Sequence, residues 1–478
     1  MLPFFSCDIH SHSVLKTYNS VVPKNIWDFY DHDTSDKRAL NRLNKQIKGL
    51  AKHSQANLQS AHEGNVRLLW TSLYPTEEGF LKFRSITDLF VRDELQVDIM
   101  AVFSGYEKQA IENLFSQDCT NYWDRLQLEY QFLVKNTEPV EGRPPIKIFR
   151  NYQELETFYT DNKEGIGLII TIEGAHVLYN QEIFIKHSTE EIKSILSENI
   201  KTIKAWEYPP FCINLSHHFW NELAGHALSF KRPINMILNQ VQGIGLGISE
   251  LGHHVLRELY TTSNGKRILI DIKHMSIRSR RQYYRFLRDH NYINPDNKIP
   301  IICSHTGVTG WGTIKELHDK KDSQQRWQKN YFCDQSINLC DEEFLLIAES
   351  EGLVGIMFER KNLGGGLFFQ KLQKLTKQKD IHEAYIQLFW DNVFHIVQVI
   401  HKKSAWDIVT IGTDYDGAIE HLEPFDSYKK FPDLYASLVQ FLSDKKYRKE
   451  LWFDYTPDEI VTKILQTNVL DFLKKHLK

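Results

Sequence analysis

Eight short apolar segments, rich in β-branched residues, constrain the fold of this chain more than any other feature. Most of them end in polar or glycine residues instead of continuing with a helical period, which is typical of buried strands. Segments with helical periodicity lie between many of them, so the sequence predicts an α/β protein, a (β/α)8 TIM barrel with helical insertions. The eight predicted strands are residues 4–10, 66–74, 165–174, 211–217, 267–274, 299–305, 352–358 and 407–414.

Capping signals predict where several of the helices begin. Ser188 and Glu191 have the spacing of a capping box and are followed by apolar residues on one helical face. Further helices are predicted to begin near Ser249 and Ser276, and a last helix at Thr456, where proline follows at the first turn.

The spacing of the predicted strands is uneven. Polar, helix-rich stretches near 25–60, 76–160, 308–350 and 360–405 are interpreted as insertions on the barrel. The sequence contains no internal repeat and no low-complexity linker, so residues 1–478 are predicted to form a single elaborated domain.

Composition narrows the class of protein. The chain carries 58 basic and 61 acidic side chains, a formal net charge of −3, which argues against a dedicated nucleic-acid or membrane-surface protein. The N-terminus lacks a basic region followed by an apolar stretch, and no apolar run approaches the roughly 18–20 residues needed to span a bilayer. Six cysteines without a CxxC pair favour free thiols. We therefore expect a cytoplasmic protein without a membrane anchor or a nucleic-acid partner, and a homodimer is compatible with this expectation.

Two histidines end the first predicted strand. His10 and His12 are two residues apart, so their side chains project from the same side of the strand, and two imidazoles placed in this way can chelate one divalent ion. An isolated pair of this kind in a chain with 21 histidines could also be coincidental.

Imidazole or carboxylate side chains also end five other predicted strands. Taken singly, each could be a helix cap, an ion-pair partner or a buried histidine bonded to backbone. Together they lie at the carboxyl ends of the strands, where barrels carry their chemistry, and burying them without a purpose would be costly. Two metal ions sharing a carboxylate would offset that cost. These residues are Glu173, His217, His274, His305 and Asp414.

Strand alternation also predicts which neighbours point away from this site. Ile272 shares the side of His274, so Asp271 and Lys273 are expected to point outward toward the helix layer. His218, beside His217, is expected to face solvent.

The order of these motifs resembles the membrane dipeptidase family, peptidase family M19 of the amidohydrolase superfamily. The segments that carry the resemblance are, in chain order, DIHSH, TIEGAH, INLSHHFWN, ILIDIKHMS, ICSHTG and IGTDYDG. Each motif alone is weak, but their collinear order over nearly the whole chain is specific.

The resemblance implies a role for each strand-end residue. His10 and the residue two positions later would bind one metal ion, Glu173 would bridge two ions, and His274 and His305 would hold the second. Asp414 would lie at the first ion and act as acid and base, and His217 would contact the substrate carbonyl. The implied cofactor is two divalent metal ions, with zinc favoured and manganese or iron(II) also compatible with nitrogen and oxygen ligands.

The sequence departs from the family pattern at two positions. The family's aspartate at the second ligand of the first strand is His12 here, which still binds metal but removes a negative charge. The family's arginine that binds the free carboxylate of a dipeptide corresponds to Ile337, and an aliphatic side chain cannot donate a bidentate pair of hydrogen bonds. Within the lengthened stretch 308–336, the basic residues that could substitute are Lys315, Lys320, Lys321 and Arg326.

These features predict a metal-dependent hydrolase that cleaves the amide bond of a dipeptide or related N-acyl amino acid, so its partner is a small-molecule substrate. An alternative is a metal-dependent phosphodiesterase or nuclease of the TatD or PHP type, which also has a histidine pair near the N-terminus. A third is a non-catalytic barrel scaffold, with the basic runs at 278–281 and 445–449 as docking surfaces.

Overall fold

The computed structural model describes residues 2–21, 24–30, 53–81, 97–98, 100–101, 104, 106–116, 120–230, 238–294, 297–319 and 329–478. All eight predicted strands are present, and a ninth short strand precedes the third of them. The strands are β1 Ser6–Ser11, β2 Val66–Leu73, β3 Ile146–Ile148, β4 Ile166–Ile172, β5 Cys212–Asn214, β6 Leu269–Asp271, β7 Ile302–Thr306, β8 Leu353–Ile356 and β9 Val409–Ile411.

Eight parallel strands form a nearly closed barrel in the order β1, β2, β4, β5, β6, β7, β8, β9. The ring closes where the segment after β9 returns to the end of β1: Asp414 N donates to His10 O (3.0 Å), and His12 N donates to Tyr415 O (2.9 Å). The additional strand β3 pairs with the first half of β4, and β5 pairs with its second half. The predicted (β/α)8 barrel with helical insertions is confirmed.

Helices surround this barrel and occupy much of the predicted insertions. The helices are α1 Leu15–Tyr18, α2 Leu58–Glu63, α3 Glu78–Leu81, α4 Lys108–Ser116, α5 Tyr122–Lys135, α6 Tyr152–Asp161, α7 Ile183–Lys186, α8 Thr189–Lys204, α9 Glu250–Tyr260, α10 Ile277–Ile293, α11 Ile314–Asp319, α12 Asp341–Glu349, α13 Arg360–Leu363, α14 Gly366–Leu372, α15 Gln378–Ile400, α16 Phe431–Lys445, α17 Pro457–Thr462 and α18 Asn468–His476. None of them, in the part of the chain that the structure describes, is long and apolar enough to cross a membrane.

The predicted helix starts are confirmed by their caps. Helix α8 begins with the capping box of Ser188 and Glu191, and α17 begins with the equivalent box at Thr456. Ser249 and Ser276 cap α9 and α10 by accepting a backbone N–H in the first turn. Each cap satisfies a donor that the helix itself leaves without a partner.

The described residues form two apolar clusters. The larger one fills the barrel and the layer between strands and helices, and every residue of β1, β2 and β4 is buried, as expected of parallel strands covered on both faces. The smaller one, which we call the mouth cluster, includes residues that follow the carboxyl ends of β1, β2 and β5. Its members are Leu15, Tyr74, Phe80, Val97, Met100, Ala101, Tyr106, Ile111, Phe219 and Leu238.

Candidate active site

The carboxyl ends of six barrel strands bring the predicted side chains to one place. His10 and His12 come from β1 and its continuation, Glu173 follows β4, and His305 lies within β7. His217, His274 and Asp414 follow β5, β6 and β9. All the histidines and Glu173 are buried, whereas the Asp414 side chain is 14% exposed, so Asp414 is the most accessible of the group.

Glu173 is the centre of this arrangement. Its Oε2 lies 2.9 Å from Nε2 of His12, and its Oε1 lies 3.3 Å from Nε2 of His10. The same Oε1 lies 3.1 Å from Nε2 of His274, 3.5 Å from Nε2 of His217 and 3.7 Å from Nε2 of His305. Five imidazoles therefore direct Nε2 toward one carboxylate.

Asp414 is a second carboxylate that lies near the histidines of β1. Its Oδ1 lies 3.7 Å from Nε2 of both His10 and His12. Sets of candidate ligand atoms within 4.8 Å of one another include the group of His10, His12 and Asp414 and the group of His10, Glu173 and His305.

The donor set fits divalent metal ions. Nε2 of His10 is buried and makes no hydrogen bond, although it faces two carboxylates. Nε2 of His274 and Nε2 of His305 lie 3.2 Å apart, and both lie within 3.7 Å of Oε1 of Glu173, so two ring nitrogens and a carboxylate oxygen converge on one point. Clustered imidazole and carboxylate atoms of this kind suit zinc, manganese or iron(II).

The electrostatics of the cluster favour the neutral form of His274 and His305 next to an ionised glutamate. Burial, together with His217, lowers the pKa of His274 to about 3, and burial and His10 hold the pKa of His305 well below its usual value. Burial opposes ionisation of Glu173, but His217, His10 and His12 keep its pKa well below the usual range. A neutral imidazole offers the lone pair that a metal ion requires.

His10 and Asp414 titrate differently from these groups. Burial disfavours the charged form of His10, but Glu173 and Asp414 together with Asp271 outweigh burial and raise the pKa of His10 to about 9. Burial raises the pKa of Asp414 to about 8, with a further contribution from the Glu173 charge.

Glu77 is a residue of this site that the sequence analysis missed. Its Oε2 accepts hydrogen bonds from Nδ1 of His217 (2.6 Å) and from the hydroxyl of Tyr74 (3.1 Å), and its Oε1 accepts one from the backbone N–H of Phe219 (3.2 Å). Burial disfavours its charge, but His217 lowers the pKa of Glu77 to about 2. Glu77 therefore orients the ring of His217 with Nε2 facing Glu173 and favours its protonated form. No pattern marks it, because it follows β2 within a predicted insertion.

The position of Lys273 contradicts the direction predicted for its side chain. It was expected to point to the helix layer, but its buried side chain lines the cavity at the candidate centre, and its Nζ has no hydrogen-bond partner among the described residues. The alternation fails because His274 has φ 67°, in the left-handed region, so consecutive residues both face the site. Asp414 has φ 61° and is turned in the same way.

His218 was also misassigned to solvent. Its ring is partly buried, lines the cavity and lies 3.7 Å from the ring of His217, centroid to centroid. Nδ1 of His218 is buried without a hydrogen bond, and His218 forms a third set of candidate ligand atoms with His217 and His274.

Two further aspartates hold the scaffold of the site. Asp8 accepts hydrogen bonds from the backbone N–H groups of His10 (3.1 Å) and Thr413 (3.0 Å) and from the Tyr428 hydroxyl (2.7 Å), so it ties β1 to the segment after β9. Asp416 pairs with Lys16 (2.9 Å) and accepts the backbone N–H of Gln55 (2.9 Å), so it anchors the chain that precedes α2.

A cavity of about 200 Å³ opens above these side chains. Ile337, at the position that the family resemblance assigns to an arginine, is buried and lines this cavity. Lys315 is exposed on α11 and is not part of the lining, while Lys320, Lys321 and Arg326 lie outside the described residues.

Comparison with known families favours one of the predicted classes of protein. The sequence model of the membrane dipeptidase family, peptidase family M19, matches residues 328–454, a stretch that includes β8, β9 and Asp414. This part of the chain is similar to peptidase family M19. The similarity supports a dipeptidase-like, metal-dependent hydrolase and favours the peptidase prediction over the phosphodiesterase and scaffold alternatives.

Solved structures support the fold of this protein over its whole length. The probable dipeptidase PvdM from Pseudomonas aeruginosa is 13% identical, with a TM-score of 0.55, covering 100% of this chain and 95% of its own. A metallopeptidase from Rhodobacter sphaeroides, bound to a phosphinate mimic of L-Ala-D-Ala, is 13% identical, with a TM-score of 0.52 and 99% of both chains covered. The M19 dipeptidase AC is 14% identical, with a TM-score of 0.50, covering 99% of this chain and 98% of its own.

Proposed function

We propose that this protein hydrolyses the amide bond of a dipeptide or a related N-acyl amino acid with a water molecule activated by two divalent metal ions. The observation that supports this proposal best is the convergence of five histidine Nε2 atoms on the buried carboxylate of Glu173 at the carboxyl ends of the strands. The similarity of residues 328–454 to the M19 family supports peptide hydrolysis as the reaction.

Two groups of side chains would hold the ions, with Glu173 shared between them. His10, His12 and Asp414 form one group, and His274 and His305 form the other. Bound divalent ions would lower the pKa of a water molecule toward neutrality and polarise the scissile carbonyl group.

The remaining steps belong to side chains of the chain itself. Asp414, the most accessible carboxylate of the cluster, would accept the proton of the attacking water and deliver it to the departing amine. Burial opposes the charge of His217, but Glu173 and Glu77 raise its pKa, so protonated His217 would donate from Nε2 to the carbonyl oxygen and stabilise the negative charge that develops there.

Metal content and peptide hydrolysis, measured together, test this proposal. The purified chain, loaded with zinc or manganese, should bind two ions by elemental analysis and release amino acids from dipeptides but no nucleotides from oligonucleotides. Glu173→Gln should lose both metal and turnover, because the shared ligand loses its charge. Glu182→Gln, which removes an exposed carboxylate from a surface ion pair, is the matched control. Two bound ions and full turnover in the Glu173→Gln variant would contradict the proposal.

A further inference from the structure

The cavity above the candidate metal centre has two chemically different walls. One wall is formed by segments that follow β2 and β5. Above the candidate ligands, its described residues contribute no charged side chain to the cavity lining. Its principal apolar side chains are Phe80, Met100, Tyr106, Ile111, Leu114 and Phe230.

Phe80, Met100, Tyr106 and Ile111 of this wall belong to the mouth cluster, Leu114 and Phe230 pack against it, and the cluster contacts histidines of the candidate site. The ring of Phe80 packs edge-to-face on Phe219, Phe230 and His218, with centroids 5.1, 5.6 and 5.5 Å apart. The ring of Tyr74 lies 4.8 Å from that of His217, centroid to centroid. The apolar surface therefore begins beside the position of the scissile bond.

The other wall is mixed in character. It follows β8 and β9 and combines Met357 and Ile419 with charged side chains, among which Lys361 forms an ion pair with Glu420. In the strand order of the barrel, β7, β8 and β9 lie opposite β2, β4 and β5. A substrate lying across the metal centre would thus have one end on each wall.

From this arrangement we infer that the substrate carries a large apolar group on the acyl side of the scissile amide, as in a dipeptide whose N-terminal residue is leucine or phenylalanine. The inference rests on the proposed function, in which Asp414 delivers a proton to the departing amine. Asp414 follows β9 on the mixed side, so the departing amine faces the mixed wall. The acyl group then faces the opposite, apolar wall, next to His217.

The size of the effect follows from burial. An apolar side chain that leaves water for such a wall gains binding free energy that glycine cannot gain, and differences of this kind correspond to roughly 10- to 100-fold in kcat/KM. The cavity of about 200 Å³ suits a compound of dipeptide size rather than a longer peptide.

Three dipeptides distinguish the two ends of the substrate. With the metal-loaded chain, kcat/KM for Leu-Gly should exceed that for Gly-Gly at least about tenfold, whereas Gly-Leu should resemble Gly-Gly. Phe80→Ala should reduce the ratio of Leu-Gly to Gly-Gly, and the control Ile419→Ala, on the opposite wall, should leave this ratio unchanged. Because both substrates are measured on the same variant, a loss of folded or metal-loaded protein cancels in the ratio.

The outcomes separate this inference from the proposed function. Hydrolysis of Gly-Gly as efficient as that of Leu-Gly, or a preference for Gly-Leu, would overturn the inference and leave the proposed function intact. If no dipeptide is hydrolysed with any divalent metal, the proposed function fails. The binding of Leu-Gly and Gly-Gly to the metal-free chain, measured by calorimetry, then tests the apolar wall separately. Tighter binding of Leu-Gly than of Gly-Gly there supports the apolar wall, and equal binding overturns it.

Discussion

At the scale of single residues, the site is defined by side chains whose partners are distant in the chain. Glu173 contacts histidines from β1 to β7, and Glu77 holds His217 through a hydrogen bond that joins residues 140 positions apart. Gly174, with φ 92°, lets the chain turn directly after Glu173, since a Cβ there would lie 2.4 Å from Nδ1 of His176. Such positions are the ones where single substitutions should be most informative.

Replacing Glu77 tests whether the orientation of His217 matters for catalysis. Glu77→Ala should lower kcat by about 10- to 100-fold while two metal ions remain bound, because His217 loses the carboxylate that orients its ring and favours its protonated form. Glu77→Gln should retain more activity, since its amide oxygen can still accept a hydrogen bond from Nδ1. Steady-state kinetics and elemental analysis measure both effects, and Glu78→Gln is the neighbouring control. A normal kcat in Glu77→Ala would contradict the assigned role.

Glu129 predicts a pH dependence of stability. It is buried on α5 and accepts the backbone N–H of Tyr74 through both oxygens (3.0 and 3.1 Å), and burial raises its pKa from 4.5 to about 7. The folded state therefore binds this proton more tightly than the unfolded state does. The stability that protonated Glu129 contributes is fully present below about pH 4.5 and is lost as the pH rises toward 7.

Glu129→Gln isolates this contribution, because the glutamine remains neutral and can still accept the Tyr74 N–H. The free energy of unfolding of the variant, relative to that of the parent, should increase by roughly 2–4 kcal/mol between pH 4.5 and pH 8. Urea unfolding at several pH values measures it, with the exposed Glu156→Gln as control. A pH-independent difference would show that Glu129 does not titrate in this range.

At the scale of elements, a buried ion pair connects α10 to α12. Nε of Arg280 donates to Oε1 of Glu343 (2.6 Å), and Nη1 of Arg280 donates to the carbonyl oxygens of Met275 (2.9 Å) and Ser336 (2.8 Å). The sequence placed Arg280 within a basic run on a possible docking surface, but its side chain is 1% exposed. The pair thus fixes the loop that carries Ile337 against the barrel.

Breaking this pair should destabilise the protein strongly. Arg280→Met leaves the charge of Glu343 buried without its partner, which costs about 3–5 kcal/mol. Arg280→Met combined with Glu343→Leu should cost less than the two single changes together, because the uncompensated charge is removed. Denaturant unfolding measures these values, and the exposed neighbour Arg278→Met should change stability by less than about 0.5 kcal/mol. If Arg280→Met lowered the free energy of unfolding by no more than Arg278→Met does, the stabilising role of the Arg280–Glu343 pair would be contradicted.

At the scale of the whole molecule, stability should depend on divalent metal. The candidate ligands come from six strands of the barrel, so ions bound there bind the folded state and not the unfolded chain. Dialysis against a chelator should lower the melting temperature and abolish dipeptide hydrolysis, and restoring zinc or manganese should recover both. At a free metal concentration 100 times the Kd, the expected stabilisation is about 2.7 kcal/mol. A melting temperature that does not respond to metal would contradict the assigned centre.

The sequence by itself determined the eight barrel strands, the capped helices and the set of side chains at the strand ends. These follow from local patterns: apolar runs that stop at polar residues, capping residues at fixed spacing, and the alternation that places His10 and His12 on one side of β1. The ordered motifs also indicated the M19 family. Whether the candidate ligands bind metal stays a prediction.

Only the tertiary structure decided which side chains meet. Alternation predicted the wrong direction for Lys273, because the left-handed backbone at His274 interrupts the strand pattern. The pairing of Glu77 with His217, the burial of Arg280 and the apolar wall beside the histidines join segments that are far apart in the chain. Local periodicity reports which face of an element is apolar but not which distant segment covers it, so these contacts exist only once the barrel closes.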